Sequence, residues 1–113
     1  MKRFHEVENE ICFLYFDKES IAKTESQVHK NVISILENKA IQAFVIDLEQ
    51  VVSLNSYGIG TLMSVFKTLT DREIKLILCN LTKINQEVFE LTQLDRVMTI
   101  VPTKTEAIAL CHH

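Results

Sequence analysis

Two nearly unbroken apolar runs of strand length, AFVIDL at 43–48 and IKLILC at 74–79, constrain this chain more than any other feature. A strand covered on one face alternates polar and apolar residues, whereas one covered on both faces does not. Both runs therefore belong inside a sheet with helices on each side. Between them, Ile59, Leu62, Met63, Phe66 and Leu69 recur at helical spacing over 56–70, the mark of an amphipathic helix. A strand, a helix and a second strand in that order call for parallel pairing through a right-handed crossover.

The flanking segments extend the same alternation. Residues 2–7 and 11–16 (KRFHEV and ICFLYF) form two extended segments joined by Glu8, Asn9 and Glu10, an opening hairpin. Val28, Val32, Ile35 and Leu36 make one helical stripe that ends near Asn38, and Thr24 with Gln27 has capping-box spacing. A third helix is expected from Thr82 to about Leu91, burying Ile84, Val88 and Leu91, before a last strand over 97–101 that Pro102 stops. Thr103 and Glu106 form a second capping box, opening a helix whose Ala107, Ile108 and Cys111 face inward. The expected object is a small α/β sandwich over residues 1–113 as a single domain. Its mixed, mostly parallel sheet has about five strands and about four helices, and no linker or internal repeat interrupts it.

Charge and composition narrow the function. A net charge of −3, scattered in sign along the chain, offers no phosphate-tracking surface and no polybasic membrane patch, so nucleic acid is excluded as a partner class. No stretch approaches a membrane span, and MKRFHEVENE has no apolar signal core, so a cytoplasmic location without membrane insertion is expected. Cys12, Cys79 and Cys111 lie among apolar neighbours without a C-x-x-C pair, which makes them buried free thiols rather than metal ligands. His112 and His113 are set aside as native residues or the stub of a tag. His5 lies in the first strand and His29 on the polar side of the first helix, leaving no nucleophilic arrangement. Asp47 and Glu49 share a strand face but have no second group to work with, so they read as solvated strand-end charges. Gly58-Ile59-Gly60 is too short to argue for dinucleotide binding. No catalytic residue, metal or cofactor is expected.

The only two glycines of the chain, Gly58 and Gly60, fall inside the run Ser56-Tyr57-Gly58-Ile59-Gly60. Each glycine within a helix costs about 0.5 to 1 kcal/mol relative to alanine, so something at this helix start requires missing side chains. Close packing on a neighbouring strand, with Asn55 or Ser56 as N-cap, is one explanation. The other is a bare helix tip, rich in unpaired N–H groups, that meets a partner or an anion. The location, at the carboxyl end of a central strand, is where ligands and partners collect in open α/β sheets.

The run VIDLEQVVSLNSYGIGTLMSVFKTL resembles the signature of the STAS domain, shared by bacterial anti-sigma factor antagonists and sulphate transporters. That pattern has a strand, a short loop, and Asp-Ser-Ser/Thr-Gly-Leu/Ile-Gly leading into a helix. It stands here as Asn55, Ser56, Tyr57, Gly58, Ile59 and Gly60 after Leu54. Both the LENKAI segment before the strand and the segment IKLILCNLTKINQEVFELTQLDRVMTIVPTKTEAIAL after it are also similar to the family, so the resemblance covers nearly the whole chain.

The resemblance implies a regulatory module that binds an anti-sigma factor, itself a serine kinase, through the start of the second helix and so releases a sigma factor. It implies phosphorylation at the family Ser/Thr position, which here is Tyr57, with Ser56 the neighbouring alternative. The family Asp is Asn55, its acidic residue at the start of the first helix aligns with Ile21, and its glycine three residues earlier aligns with Lys18, with Asp17 and Glu19 out of register. A kinase site shaped for a short hydroxyl would have to admit a longer phenol, so the phospho-switch is expected to be altered. Tyr57 then either lays its ring over apolar surface or anchors a partner, as tyrosines often do. With Val65 off the expected core stripe, Gly58, Thr61 and Val65 make a shallow patch beside it. The expected partner-binding set is Asn55, Ser56, Tyr57, Gly58, Gly60, Thr61 and Val65. The alternative is a non-catalytic STAS scaffold subunit of a stress-signalling complex or of a lipid or anion transporter. Whether the chain forms a homodimer is left open.

Overall fold

The computed structural model describes residues 5–17 and 25–112. Five strands form one sheet in the order β1 (His5–Glu8), β2 (Ile11–Asp17), β3 (Ala43–Gln50), β4 (Lys75–Cys79) and β5 (Thr99–Val101). β1 runs antiparallel to β2, and β2, β3, β4 and β5 are parallel to one another. Helices α1 (Glu25–Asn38), α2 (Ser56–Asp71) and α3 (Lys83–Leu91) form the crossovers, and α4 (Lys104–Cys111) follows β5. A short 3-10 turn, Leu94–Arg96, precedes the last strand. Among the described residues, the mixed sheet and four helices match the expected α/β architecture. Thr24, Lys18, Glu19 and Ile21, which carry the first capping box and the family comparison before α1, lie outside the described residues, as do residues 2–4 of the expected first strand and His113.

The opening hairpin closes through a two-residue turn, with Glu8 paired to Ile11. Asn9 (φ 53°) and Glu10 (φ 66°) are both left-handed, the combination that matches the twist of two antiparallel strands. Glu8 extends the strand rather than the turn.

β3 divides the core by strict alternation. Phe44, Ile46 and Leu48 join Cys12, Leu14, Phe16, Leu76 and Leu78 against Val28, Val32, Leu62, Val65, Leu69 and Phe89 of the first three helices. Ala43 and Val45 join Ile11, Phe13, Ile77 and Cys79 on the opposite face, under Ala107 and Cys111 of α4. Strands buried on both sides explain the unbroken apolar runs.

Two inward faces and one strand boundary differ from the expected ones. In α3, Asn85 and Phe89 point inward and Val88 is half-buried, while Ile84 is 49 % and Leu91 85 % exposed. The helix is rotated because Asn85 occupies a core position, its amide satisfied by backbone of a distant loop. In α2 the buried stripe is Gly58, Thr61, Leu62, Val65 and Leu69, so Val65 lies on the core stripe and Met63 is the exposed residue. Thr61 tolerates full burial because its Oγ1 donates to the Tyr57 carbonyl at 2.9 Å. Val97 is exposed and precedes β5 rather than beginning it. The second capping box is present in its essential bond, Glu106 N donating to Thr103 Oγ1 at 3.2 Å.

α4 is latched to the hairpin by a polar cluster. Lys104 Nζ donates to Tyr15 Oη at 2.6 Å, Tyr15 Oη donates to Glu6 Oε1 at 2.5 Å, and Lys104 Nζ lies 4.5 Å from the Phe13 ring centroid. Burial and the bond to Glu6 push the Tyr15 phenol above its ordinary 10.0, against the lowering effect of Lys104. The Tyr15 bond holds the Lys104 ammonium above its ordinary 10.5. Both folded values are raised, so the latch contributes fully below pH 10.0 and is lost as pH rises through the folded values. In a Tyr57→Phe variant, which leaves Tyr15 as the sole phenol, ultraviolet titration should show a midpoint above 10.0. Glu6→Gln should move that midpoint down and Lys104→Met should move it up; a midpoint at or below 10.0 would contradict the latch.

Candidate functional site

The chain leaves β3 at Gln50 and must turn back into α2 within five residues, from Val51 to Asn55. Val51 and Leu54 are buried, which pins the ends of the loop and pushes Val52, between them, to 67 % exposure. Asn55 is the N-cap: its backbone is extended (φ −94°, ψ −176°) and its Oδ1 accepts from Gly58 N at 2.9 Å. The first intrahelical bond runs from Ile59 N to Asn55 O at 3.0 Å, so the amides of Ser56 and Tyr57 have no acceptor within the helix. Asn55 and Ser56 are exposed, and Tyr57 is 70 % exposed.

The glycine pair divides between its two explanations. Gly58 is buried with negative φ, so its missing side chain serves packing and not an unusual backbone shape. Gly60 is half-buried and lines a shallow surface groove with Met63, Ser64 and Lys67.

Of the seven residues expected to meet a partner, the structure brings Asn55, Ser56 and Tyr57 together on an exposed tip, with Gly60 at its margin. Gly58, Thr61 and Val65 are corrected: Thr61 and Val65 are fully buried and Gly58 is buried, so none lies on the outer face. α2 packs against both the sheet and α1, and its buried stripe is wide enough to take in all three. Sequence reasoning also missed Val52, whose exposure depends on its two buried neighbours, and Ile84 at the start of α3.

His29 is not on a free polar face. Its Nδ1 lies 3.2 Å from Ser64 Oγ and its Nε2 2.9 Å from Thr68 Oγ1, which ties α1 to α2. Asp47 is half-buried rather than solvated, its two oxygens accepting from Glu49 N at 2.9 Å and Asn80 Nδ2 at 3.1 Å. Both groups hold structure together. Burial pushes the Cys12 and Cys79 thiols up to about 12, with Asp47 adding to the rise at Cys79, and burial also raises Cys111. None is a ready thiolate nucleophile at neutral pH. Among the described residues, no group of three or more His, Cys, Asp or Glu could hold a metal ion, and no helix is long and apolar enough to cross a membrane.

Among the described residues, a mixed sheet with three helices on one face and one on the other, and a capped, exposed helix start at the carboxyl end of its central strand, defines a small α/β module. The STAS domain profile matches residues 5–107, and the chain belongs to the STAS domain family. Its fold is that of solved members at low sequence identity. TM1081 of Thermotoga maritima superposes with a TM-score of 0.84 at 20 % identity, covering 100 % of this chain and 91 % of that one. A Ser-to-Glu variant of RsbS from Moorella thermoacetica gives 0.86 at 9 % identity, covering 97 % and 96 %. The unphosphorylated anti-sigma factor antagonist SpoIIAA gives 0.71 at 20 % identity, covering 92 % and 90 %.

The cap gives this site a measurable stake in folding. Asn55→Ala should lower unfolding free energy in urea by about 1 kcal/mol, the usual cost of a lost N-cap acceptor. An unchanged value would mean that the tip is not held by Asn55.

Proposed function

We propose that this chain is a non-catalytic, cytoplasmic regulatory module of the anti-sigma factor antagonist type. It captures an anti-sigma factor kinase through the tip of α2 and thereby frees a sigma factor. Asn55, Ser56 and Tyr57 form the contact surface, with Gly60 at its edge. The single observation that supports this reading is Tyr57, a large amphipathic ring 70 % exposed on a tip whose backbone is capped and anchored. Tyrosine on a rigid element brings large contact area at small entropic cost and recurs among interface hot spots. SpoIIAA, of the same fold, is an anti-sigma factor antagonist with unphosphorylated and phosphorylated forms.

The phosphate cycle differs in this reading. Tyr57 stands at the family Ser/Thr position, and its phenol places a hydroxyl several ångströms further from the backbone than serine does. Capture is therefore constitutive or controlled elsewhere, with Ser56 the remaining nearby hydroxyl. The same substitution favours a second reading, in which the domain is a permanent scaffold subunit of a signalling assembly that needs no phosphate cycle. A chain of the stressosome, a signal integration and transduction hub, shares the fold at a TM-score of 0.84 and 10 % identity.

Tyr57→Glu should abolish capture of the purified anti-sigma factor kinase in a pull-down and leave thermal unfolding nearly unchanged. Undiminished capture would place recognition elsewhere. Intact-mass measurement after incubation with kinase and ATP should show no gain of about 80 Da, the mass of one phosphate; such a gain would restore the phospho-switch.

A further inference from the structure

The loop that delivers the α2 tip is tied to α3 by side chains some thirty residues further along the chain. Asn85 is fully buried: its Oδ1 accepts from Leu54 N at 2.8 Å and its Nδ2 donates to Val51 O at 2.8 Å. Thr82 Oγ1 donates to Val52 O at 2.7 Å and accepts from Asn85 N at 3.3 Å as the N-cap of α3. One hydroxyl therefore caps a helix and holds the loop. Three backbone groups around the exposed Val52, the carbonyls of Val51 and Val52 and the amide of Leu54, have partners at the start of α3, on its N-cap Thr82 and on Asn85. A buried amide with both ends engaged has one low-energy seat, because any shift leaves Leu54 N–H or Val51 C=O unpaired away from water.

We propose that Asn85 and Thr82 are positioning residues for recognition at the α2 tip. They hold the loop so that Val52 and Tyr57 are presented in one fixed relation, and binding depends on α3 side chains that touch no partner themselves. A loop already ordered before encounter spares the complex the entropy of fixing it. The inference rests on the reading that the α2 tip captures the anti-sigma factor kinase.

The test uses the full chain, Thr82→Val and Asn85→Ser as independent variants, and Tyr57→Ala as reference. Amide exchange by NMR should rise at Leu54 by about tenfold or more relative to the β3 amides in both variants, on the scale of one lost cap or buried hydrogen bond. Titration with the purified kinase, well below the unfolding temperature, should show each variant weakened about tenfold. The double variant with Tyr57→Ala should lose less than the product of the two single losses, because both act on one surface. A variant that is only less stable would lose affinity in proportion to its unfolded fraction and multiply with Tyr57→Ala. Unchanged relative exchange at Leu54 overturns the clamp. Faster exchange with full affinity, while Tyr57→Ala still weakens capture, overturns the inference and leaves the proposed function standing. No capture by the unaltered chain overturns both.

Discussion

Burial of β3 on both faces is the constraint from which the rest of the structure follows. Phe44, Ile46 and Leu48 are sealed under three helices, and Ala43 and Val45 under α4. Such a strand cannot present polar groups along its length without leaving them dry and unpaired. Polar side chains are accordingly pushed to its carboxyl end, where Asp47 ties Glu49 and Asn80 together and the chain turns into α2. Each parallel crossover sends its helix back across the sheet, so α2 and α3 both begin at that same end. The tip of α2 is exposed there because a parallel sheet has an edge where strands stop and helices start.

The tip is held by hydrogen bonds as well as by the burial of Val51 and Leu54 in the core. Asn55 caps α2, Thr82 caps α3, and Asn85 spans the loop between them. None of these bonds adds a large amount to stability alone. Their joint effect is to hold the loop so that Val52 and Tyr57 stand out as its exposed large apolar side chains, beside the exposed Ser53, Asn55 and Ser56. In the proposed reading, a tyrosine at the family's hydroxyl position turns a switchable surface into a standing one.

Most of the architecture was legible in the chain. The two unbroken apolar runs identify the central strands, the turn residues identify the hairpin, and Thr103 with Glu106 marks the start of α4. The inward faces of α2 and α3 were less legible, and for one reason. Thr61 and Asn85 are polar residues in core positions, each made affordable by a hydrogen bond to backbone that periodicity alone does not reveal. Counting them as surface rotates each helix by part of a turn, which put Val65 outside and Ile84 and Leu91 inside. At the candidate site the sequence left the cap open between Asn55 and Ser56 and Tyr57 between two postures; the structure makes Asn55 the cap and leaves the Tyr57 ring exposed. Val52 could not be read, since its exposure arises from the burial of Val51 and Leu54 on either side.

The central claim is that recognition is concentrated on the loop and helix start at the carboxyl end of β3. Mapping of backbone amide shifts in the labelled full chain during titration with the purified anti-sigma factor kinase tests it most directly. The account predicts that the largest changes cluster from Val52 to Gly60, with α4 and β1 nearly silent. Changes centred on α4 or on the edge of β1, with that segment unperturbed, would contradict it.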